Sequence, residues 1–96
     1  MKAARFYDRG DIRIEDIPEP EVTPGTVGIK VAWCGICGTD LHEFMEGPIF
    51  IPPCGHPHPI SGESAPITMG HEFSGVVYAV GEGVDDIEIG QHVVVE

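Results

Sequence analysis

Basic residues are scarce in this chain, and their scarcity excludes several kinds of partner. Lys and Arg together number five among 96 residues, against sixteen Asp and Glu, which gives a formal net charge of −11 at pH 7. A protein that binds nucleic acid or an anionic membrane surface needs a basic patch. We therefore expect neither partner. We interpret the acidity as solubilising charge, or as charge that another part of the protein balances.

Long apolar runs are also missing. The longest run, residues 76–80, is far shorter than the roughly 20 residues that a membrane-spanning helix requires. The first nine residues are interrupted by charge and contain no apolar segment typical of a signal peptide. Cysteine is scarce and odd in number, with three residues. We therefore predict a cytoplasmic protein whose thiols serve metal binding or chemistry rather than disulfides.

Glycine and proline, by contrast, are abundant, with thirteen and nine residues. They separate short runs rich in Val and Ile, which is typical of a turn-rich β domain rather than a helix bundle. We predict one helix over residues 39–45 with Thr39 as its N-cap, and a long functional or mobile loop over residues 47–66. Strands are expected at residues 1–7, 12–17, 27–34, 73–80 and 91–96.

The chain ends inside its last predicted strand. A domain rarely stops so abruptly, and we therefore expect residues 1–96 to be the N-terminal part of a domain whose later strands are missing. The sequence Gly81-Glu82-Gly83 is not a dinucleotide-binding fingerprint, because Asp86 stands where the third glycine would fall and no helix pattern follows. We therefore expect the nucleotide-binding domain to be absent as well.

Candidate metal ligands cluster in two short segments. Residues 34–42 contain Cys34, Cys37 and His42, and residues 70–72 read Gly-His-Glu. Thiolate and imidazole ligands together suit a borderline-soft cation such as zinc. A catalytic zinc uses three protein ligands and leaves the fourth position open to water or substrate.

These two segments resemble the medium-chain, zinc-containing alcohol and polyol dehydrogenases. Residues 35–42 resemble the catalytic cysteine segment of that family, and residues 70–75, followed by Gly81 and Val84, resemble its zinc signature. Residues 62–72 most resemble the 2,3-butanediol dehydrogenase branch. The resemblance implies a mainly β, GroES-like, partly closed barrel, here truncated. Residues 1–4, 81–84 and 90–94 also resemble the family.

The resemblance also assigns roles to individual residues. Cys37 matches the zinc thiolate, His71 the zinc imidazole, and Glu72 the acidic residue that binds zinc in related polyol dehydrogenases. In other branches the third ligand comes later in the chain than Glu96. Some polyol enzymes carry an aromatic residue where this chain has Glu43.

The remaining assigned roles concern proton movement. Thr39 matches the hydroxyl of the proton relay, His42 its outer histidine, and Asp40 a carboxylate that orients the zinc histidine. The implied reaction interconverts a secondary alcohol or diol with a ketone, as 2,3-butanediol with acetoin, using Zn²⁺ and NAD(P). The implied full-length enzyme is a homo-oligomer, and we expect no turnover from these 96 residues alone.

Each assigned residue also has a structural interpretation. Cys37 could be a buried core cysteine, Thr39 only a helix cap, and His42 a surface histidine. Asp40 could only favour the helix dipole, and Glu72 could act near the metal without binding it. Cys34 is interpreted as a strand-end packing residue, because a redox-active CxxC pair needs a βαβ context. A second metal could bind to Cys54, His56 and His58, although rigid prolines beside them favour a surface loop.

Three other functions compete with the dehydrogenase. One is a free-standing GroES-like binding or chaperone module without catalysis, which has no need of metal ligands. Another is a family member that has lost zinc, as in the quinone reductase branch. The third is a sorbitol or threonine dehydrogenase type of enzyme. The presence of Cys37, His71 and Glu72 favours a zinc enzyme over the first two.

Overall fold

The structure is a computed structural model that describes all residues, 1–96, and six of its seven regular elements are strands. The predicted mainly β class is therefore confirmed. The elements in chain order are β1 (Lys2–Asp8), β2 (Asp11–Asp16), β3 (Val27–Cys34), α1 (Gly38–Glu46), β4 (Ile67–Thr68), β5 (Phe73–Val80) and β6 (His92–Val95).

The chain divides into two compact units, of which the first comprises Met1–Pro18 and Ile36–Gly70. Its sheet has the strand order β2-β1-β4, and both pairings are antiparallel. Phe6 of β1 is fully buried, and it pairs with Ile12 on one side and Ile67 on the other. Burial of one large aromatic side chain contributes on the order of 2 kcal/mol. Phe6 is therefore the main apolar anchor of this sheet.

Charged and aromatic side chains cover one face of the β1–β2 hairpin. The guanidinium of Arg13 lies 4.0 Å from the centroid of the Tyr7 ring, and it donates to both oxygens of Asp11 at 3.0 Å. These hydrogen bonds lower the pKa of Asp11. The pKa of Tyr7 is raised, chiefly by its hydrogen bond with Glu15. The alternating pattern of β2 predicts buried isoleucines, but Ile12 and Ile14 are exposed at 37% and 69%, whereas Asp11 and Glu15 are half-buried.

The second unit comprises Glu19–Gly35 and His71–Glu96. Its sheet has the order β3-β5-β6, again antiparallel, with Val77 of β5 almost fully buried at 1% exposure. Gly75 of β5 has no room for a side chain, because a Cβ there would lie 2.7 Å from Cγ2 of Ile29 and would also collide with the backbone of Lys30. Close strand packing therefore requires glycine at this position.

The predicted elements agree most closely with the structure in the long β-prone runs. The bounds of β3 and β5 match the prediction, and those of β1, β2 and β6 differ by one residue at each end. The predicted loop over residues 47–66 contains no helix or strand. The prediction missed β4, whose two residues are too few to show a period. No helix here has the length and apolar character needed to cross a membrane.

Candidate metal centre

The first candidate segment forms the start of α1. Cys37 is the N-cap residue, with an extended backbone (φ −91°, ψ 157°). Its N–H donates to the Asp40 carboxylate at 3.0 Å, and the Asp40 N–H donates to the Cys37 carbonyl at 3.0 Å. The prediction that Thr39 is the N-cap is wrong. Because the carboxylate of Asp40 satisfies the backbone of Cys37, the helix begins at Gly38, and Thr39 lies within its first turn.

The hydroxyl of Thr39 lies beside the thiol of Cys37. The two side-chain atoms, Sγ and Oγ1, are 3.7 Å apart, which is within hydrogen-bonding range for sulfur. Cys37 is half-buried and Thr39 is exposed. His42 follows Thr39 by three residues and is also exposed. Residues three apart on a helix are neighbours on its surface. Cys37, Thr39 and His42 are therefore arranged along one short helix.

The second candidate segment leads directly into β5. His71 and Glu72 precede Phe73, which pairs with Cys34 at the end of the β3–β5 ladder. The N–H of Gly35 donates to the carbonyl of Glu72 at 2.9 Å. Cys37 follows Gly35 by two residues, and two residues of chain extend about 7 Å at most. The ladder and chain connectivity therefore keep Cys37 close to His71 and Glu72.

One potential ligand atom from each of Cys37, His71 and Glu72 lies within 4.8 Å of the others. In a tetrahedral zinc site with bonds of roughly 2.0–2.3 Å, two ligand atoms lie about 3.5 Å apart. That spacing falls within the 4.8 Å limit that the three atoms satisfy. A thiolate, an imidazole and a carboxylate also form a set that zinc accepts with one position open. The donor set and its spacing therefore fit a catalytic zinc ion.

The other cysteines and histidines are arranged differently. Cys54, His56 and His58 are exposed and form no such group of ligand atoms. The Nδ1 atom of His58 accepts the N–H groups of Ile60 and Ser61 at 3.1 and 3.3 Å. His58 thus stabilises a turn, and the second metal considered from the sequence is not supported.

Cys34 lies at the end of β3 as predicted, but it is exposed. Its interpretation as a packing residue is therefore wrong. The strand ends there with its last side chains in solvent, which the sequence alone does not reveal.

A buried carboxylate on α1 escaped the sequence interpretation. Glu43 is 2% exposed, and its side chain accepts N–H groups from Ile49, Phe50 and Ile51. A glutamate beside an apolar position on a helix gives no signal of burial, because most glutamates are exposed. Only the Pro- and Gly-rich loop after the helix hints that backbone donors there need a partner.

Comparison with known proteins identifies the family. Residues 23–96 match the family described as the alcohol dehydrogenase GroES-like domain. The chain belongs to this family, and both the predicted resemblance and the predicted GroES-like fold are confirmed.

Two curated relatives share high sequence identity with this chain. The chain is 92% identical to (R,R)-butanediol dehydrogenase of Neisseria gonorrhoeae (strain ATCC 700825 / FA 1090), with 100% of this chain and 27% of that protein covered. It is 62% identical to (R,R)-butanediol dehydrogenase of Bacillus subtilis (strain 168), with 100% of this chain and 28% of that protein covered. The chain thus spans about a quarter of the length of these curated relatives.

A solved structure agrees. The crystal structure of 2R,3R-butanediol dehydrogenase from Bacillus subtilis superposes with a TM-score of 0.91 at 61% identity, covering 97% of this chain and 26% of that one. The fold described above is therefore similar to the corresponding part of that dehydrogenase.

Proposed function

We propose that this chain is the metal-binding part of a zinc-dependent dehydrogenase that interconverts a secondary alcohol or diol with a ketone, of the 2,3-butanediol and acetoin type. The observation that carries the proposal is the grouping of Cys37, His71 and Glu72 within 4.8 Å. The similarity to two curated butanediol dehydrogenases supports the substrate class. A homo-oligomeric enzyme that uses NAD or NADP is part of the same proposal.

Three side chains would hold the metal: Cys37 through Sγ, His71 through an imidazole nitrogen, and Glu72 through a carboxylate oxygen. A bound Zn²⁺ would supply Lewis-acid polarisation of the substrate oxygen. Asp40 holds the backbone of Cys37 through its hydrogen bond at 3.0 Å. In our proposal it also orients the imidazole of His71, since outer carboxylates commonly fix the tautomer of a metal-binding histidine.

The proton of the alcohol would leave along α1. Oγ1 of Thr39 lies 3.7 Å from the thiol of Cys37, and a hydroxyl placed there would accept the proton of an alcohol held at this site. His42, exposed and one turn along, would then receive the proton and release it to solvent. A nicotinamide cofactor, when bound, would supply the hydride acceptor for the carbon that carries the alcohol oxygen.

A chimera tests the complete function. This chain would replace the matching N-terminal part of the 62%-identical Bacillus subtilis dehydrogenase, and reduction of NAD⁺ would be followed with (R,R)-butane-2,3-diol. We expect activity that requires zinc and is lost with Cys37→Ala. Replacement of Thr39 by Val should lower kcat by about a hundredfold while zinc content is kept, and Thr39→Ser should restore most of it.

The competing functions predict other results. A folded chimera that binds zinc but leaves the diol unoxidised would argue against this substrate class. Sorbitol or threonine as the preferred substrate would assign the chain to another dehydrogenase type. If the chain alone binds no zinc but the chimera does, the third ligand lies beyond Glu96; if neither binds zinc, a GroES-like module without catalysis, or a family member without metal, becomes the better conclusion.

A further inference from the structure

The helix that follows Cys37 and carries Thr39 and His42 fully buries none of its large apolar side chains. Among the nine residues of α1, the buried one is Glu43. The large apolar side chains of the helix are instead exposed, with Phe44 at 38%, Leu41 at 52% and Met45 at 61%. An amphipathic helix normally docks through its apolar face. Polar contacts therefore contribute to fixing the position of α1.

The carboxylate of Glu43 provides the first of these contacts. Oε2 accepts the N–H of Ile49 at 3.0 Å. Oε1 accepts the N–H groups of Phe50 and Ile51, the latter at 3.4 Å. A buried charge without such partners would be strongly destabilising, whereas charge-assisted hydrogen bonds are about twice as strong as neutral ones. The segment after the helix is thus bound back onto α1 through one side chain.

The backbone at the end of α1 provides the second contact. The carbonyl of Phe44 accepts the N–H of Gly10 at 2.7 Å. The guanidinium of Arg9 donates to the carbonyls of Glu46 and Gly47 at 3.3 and 3.1 Å. Cations and N–H donors at a helix C-terminus also oppose the negative end of its dipole. The C-terminal half of the helix is therefore fixed on both sides by hydrogen bonds.

We infer that Glu43 is a positioning residue: by binding the backbone of Ile49–Ile51 it fixes α1, and with it the metal-binding Cys37 and the proton-accepting Thr39. Thr39 and Glu43 are four residues apart and share one face of the helix. A rotation of α1 that releases Glu43 would also move Thr39 relative to the metal ligands. The inference rests on the proposed function for the roles of Cys37 and Thr39. The evidence that Glu43 positions them is its set of hydrogen bonds to the backbone.

Backbone amide hydrogen exchange on the 96-residue chain tests the attachment. Glu43→Gln keeps the shape of the side chain but turns an NH₂ group toward backbone donors. Glu46→Gln is the matched control, because it removes the same charge from an exposed position of the same helix. We expect exchange at Ile49, Phe50 and Ile51 to be at least about tenfold faster in Glu43→Gln and unchanged in the control.

Binding of Co²⁺ tests the consequence for the metal centre. We expect Glu43→Gln to weaken Co²⁺ binding about tenfold and to change the visible spectrum of the bound ion, since loss of a supporting hydrogen bond commonly costs about 10–100-fold in affinity. A role in packing alone would leave the isosteric Gln variant with the spectrum of the unsubstituted chain. Such an unchanged spectrum and affinity, or unchanged exchange at Ile49–Ile51, would overturn the inference.

Two checks separate the inference from other failures. Slow exchange at the amide of Val77, which donates to Gln91 at 2.9 Å, shows that the variant is folded. If that protection is lost, Glu43→Asp, which keeps the charge but withdraws it by one methylene, replaces Glu43→Gln. If the unsubstituted chain binds no Co²⁺, Cys37, His71 and Glu72 are not a sufficient ligand set, and amide exchange alone decides whether Glu43 holds the segment.

Discussion

Two groups of thiol and imidazole side chains in this chain have similar chemistry but differ in whether their potential ligand atoms come close together. Cys54, His56 and His58 follow one another within five residues, yet they form no metal-binding group. Cys37 and His71 lie far apart in the sequence, yet their ligand atoms lie within 4.8 Å of each other and of Glu72. Strand pairing, rather than proximity in sequence, therefore determines which of these side chains come together.

The difference has a physical cause in the backbone. The end of the β3–β5 ladder fixes Gly35 against Glu72 at 2.9 Å. In the other group, prolines restrict the backbone around each histidine, and the N–H of His56 donates to Pro53 at 3.0 Å. Nδ1 of His58 is already an acceptor for two backbone groups. That loop thus uses its polar atoms to stabilise itself.

Removal of one thiol from each group should give the largest difference in zinc binding between the two groups. We expect about one zinc per chain in the unsubstituted protein and in Cys54→Ala. In Cys37→Ala, affinity should fall by more than about a hundredfold, because even outer partners of a metal ligand contribute roughly 10–100-fold. Elemental analysis after dialysis gives the stoichiometry. Equal zinc loss in both variants would contradict the assignment.

Removal of one carboxylate from each region tests whether Glu72 is a zinc ligand. Glu72→Gln should weaken zinc binding by about tenfold or more, since an amide oxygen is a neutral and poorer ligand for this cation. Glu63→Gln, in the loop that follows Cys54, His56 and His58, should leave the zinc affinity unchanged. Competition with a chromogenic chelator measures both affinities. If Glu72→Gln binds like the unsubstituted chain, Glu72 is only an electrostatic neighbour.

The smallest expected effect concerns His58. His58→Ala removes the acceptor for Ile60 and Ser61, so the loop should exchange its amide hydrogens faster. Because the site is exposed, the free energy of unfolding should fall by only about 0.5 kcal/mol or less. Zinc content should stay the same. Urea unfolding and elemental analysis measure the two quantities. Loss of zinc in His58→Ala would instead support a metal site at Cys54, His56 and His58.

The sequence predicts this fold best where one signal dominates. Val-rich runs between turns predict β3 and β5 with their full bounds, and the family resemblance brings Cys37, His71 and Glu72 together before any distance is known. Local signals mislead where two residues compete. Thr39 is a good cap by type, but Asp40 takes the cap interaction through the backbone of Cys37.

Other features depend on contacts distant in the chain, which no local pattern encodes. β4 exists because Ile67 and Thr68 pair with Phe6 and Arg5 of β1. The burial of Glu43 depends on a loop that folds back over its own helix. The exposure of Cys34 likewise follows from where the β3–β5 ladder ends rather than from its neighbours in sequence.

The hydrogen bond from the N–H of Gly35 to the carbonyl of Glu72 has a thermodynamic consequence. The loop-closure entropy lost when the two distant ligand segments meet is lost already when β3 pairs with β5, so a metal ion encounters ligands at a high effective concentration. The coupling also works in reverse. An ion that binds only this arrangement stabilises the sheet by mass action, and metal supply would then set how much of the chain is folded.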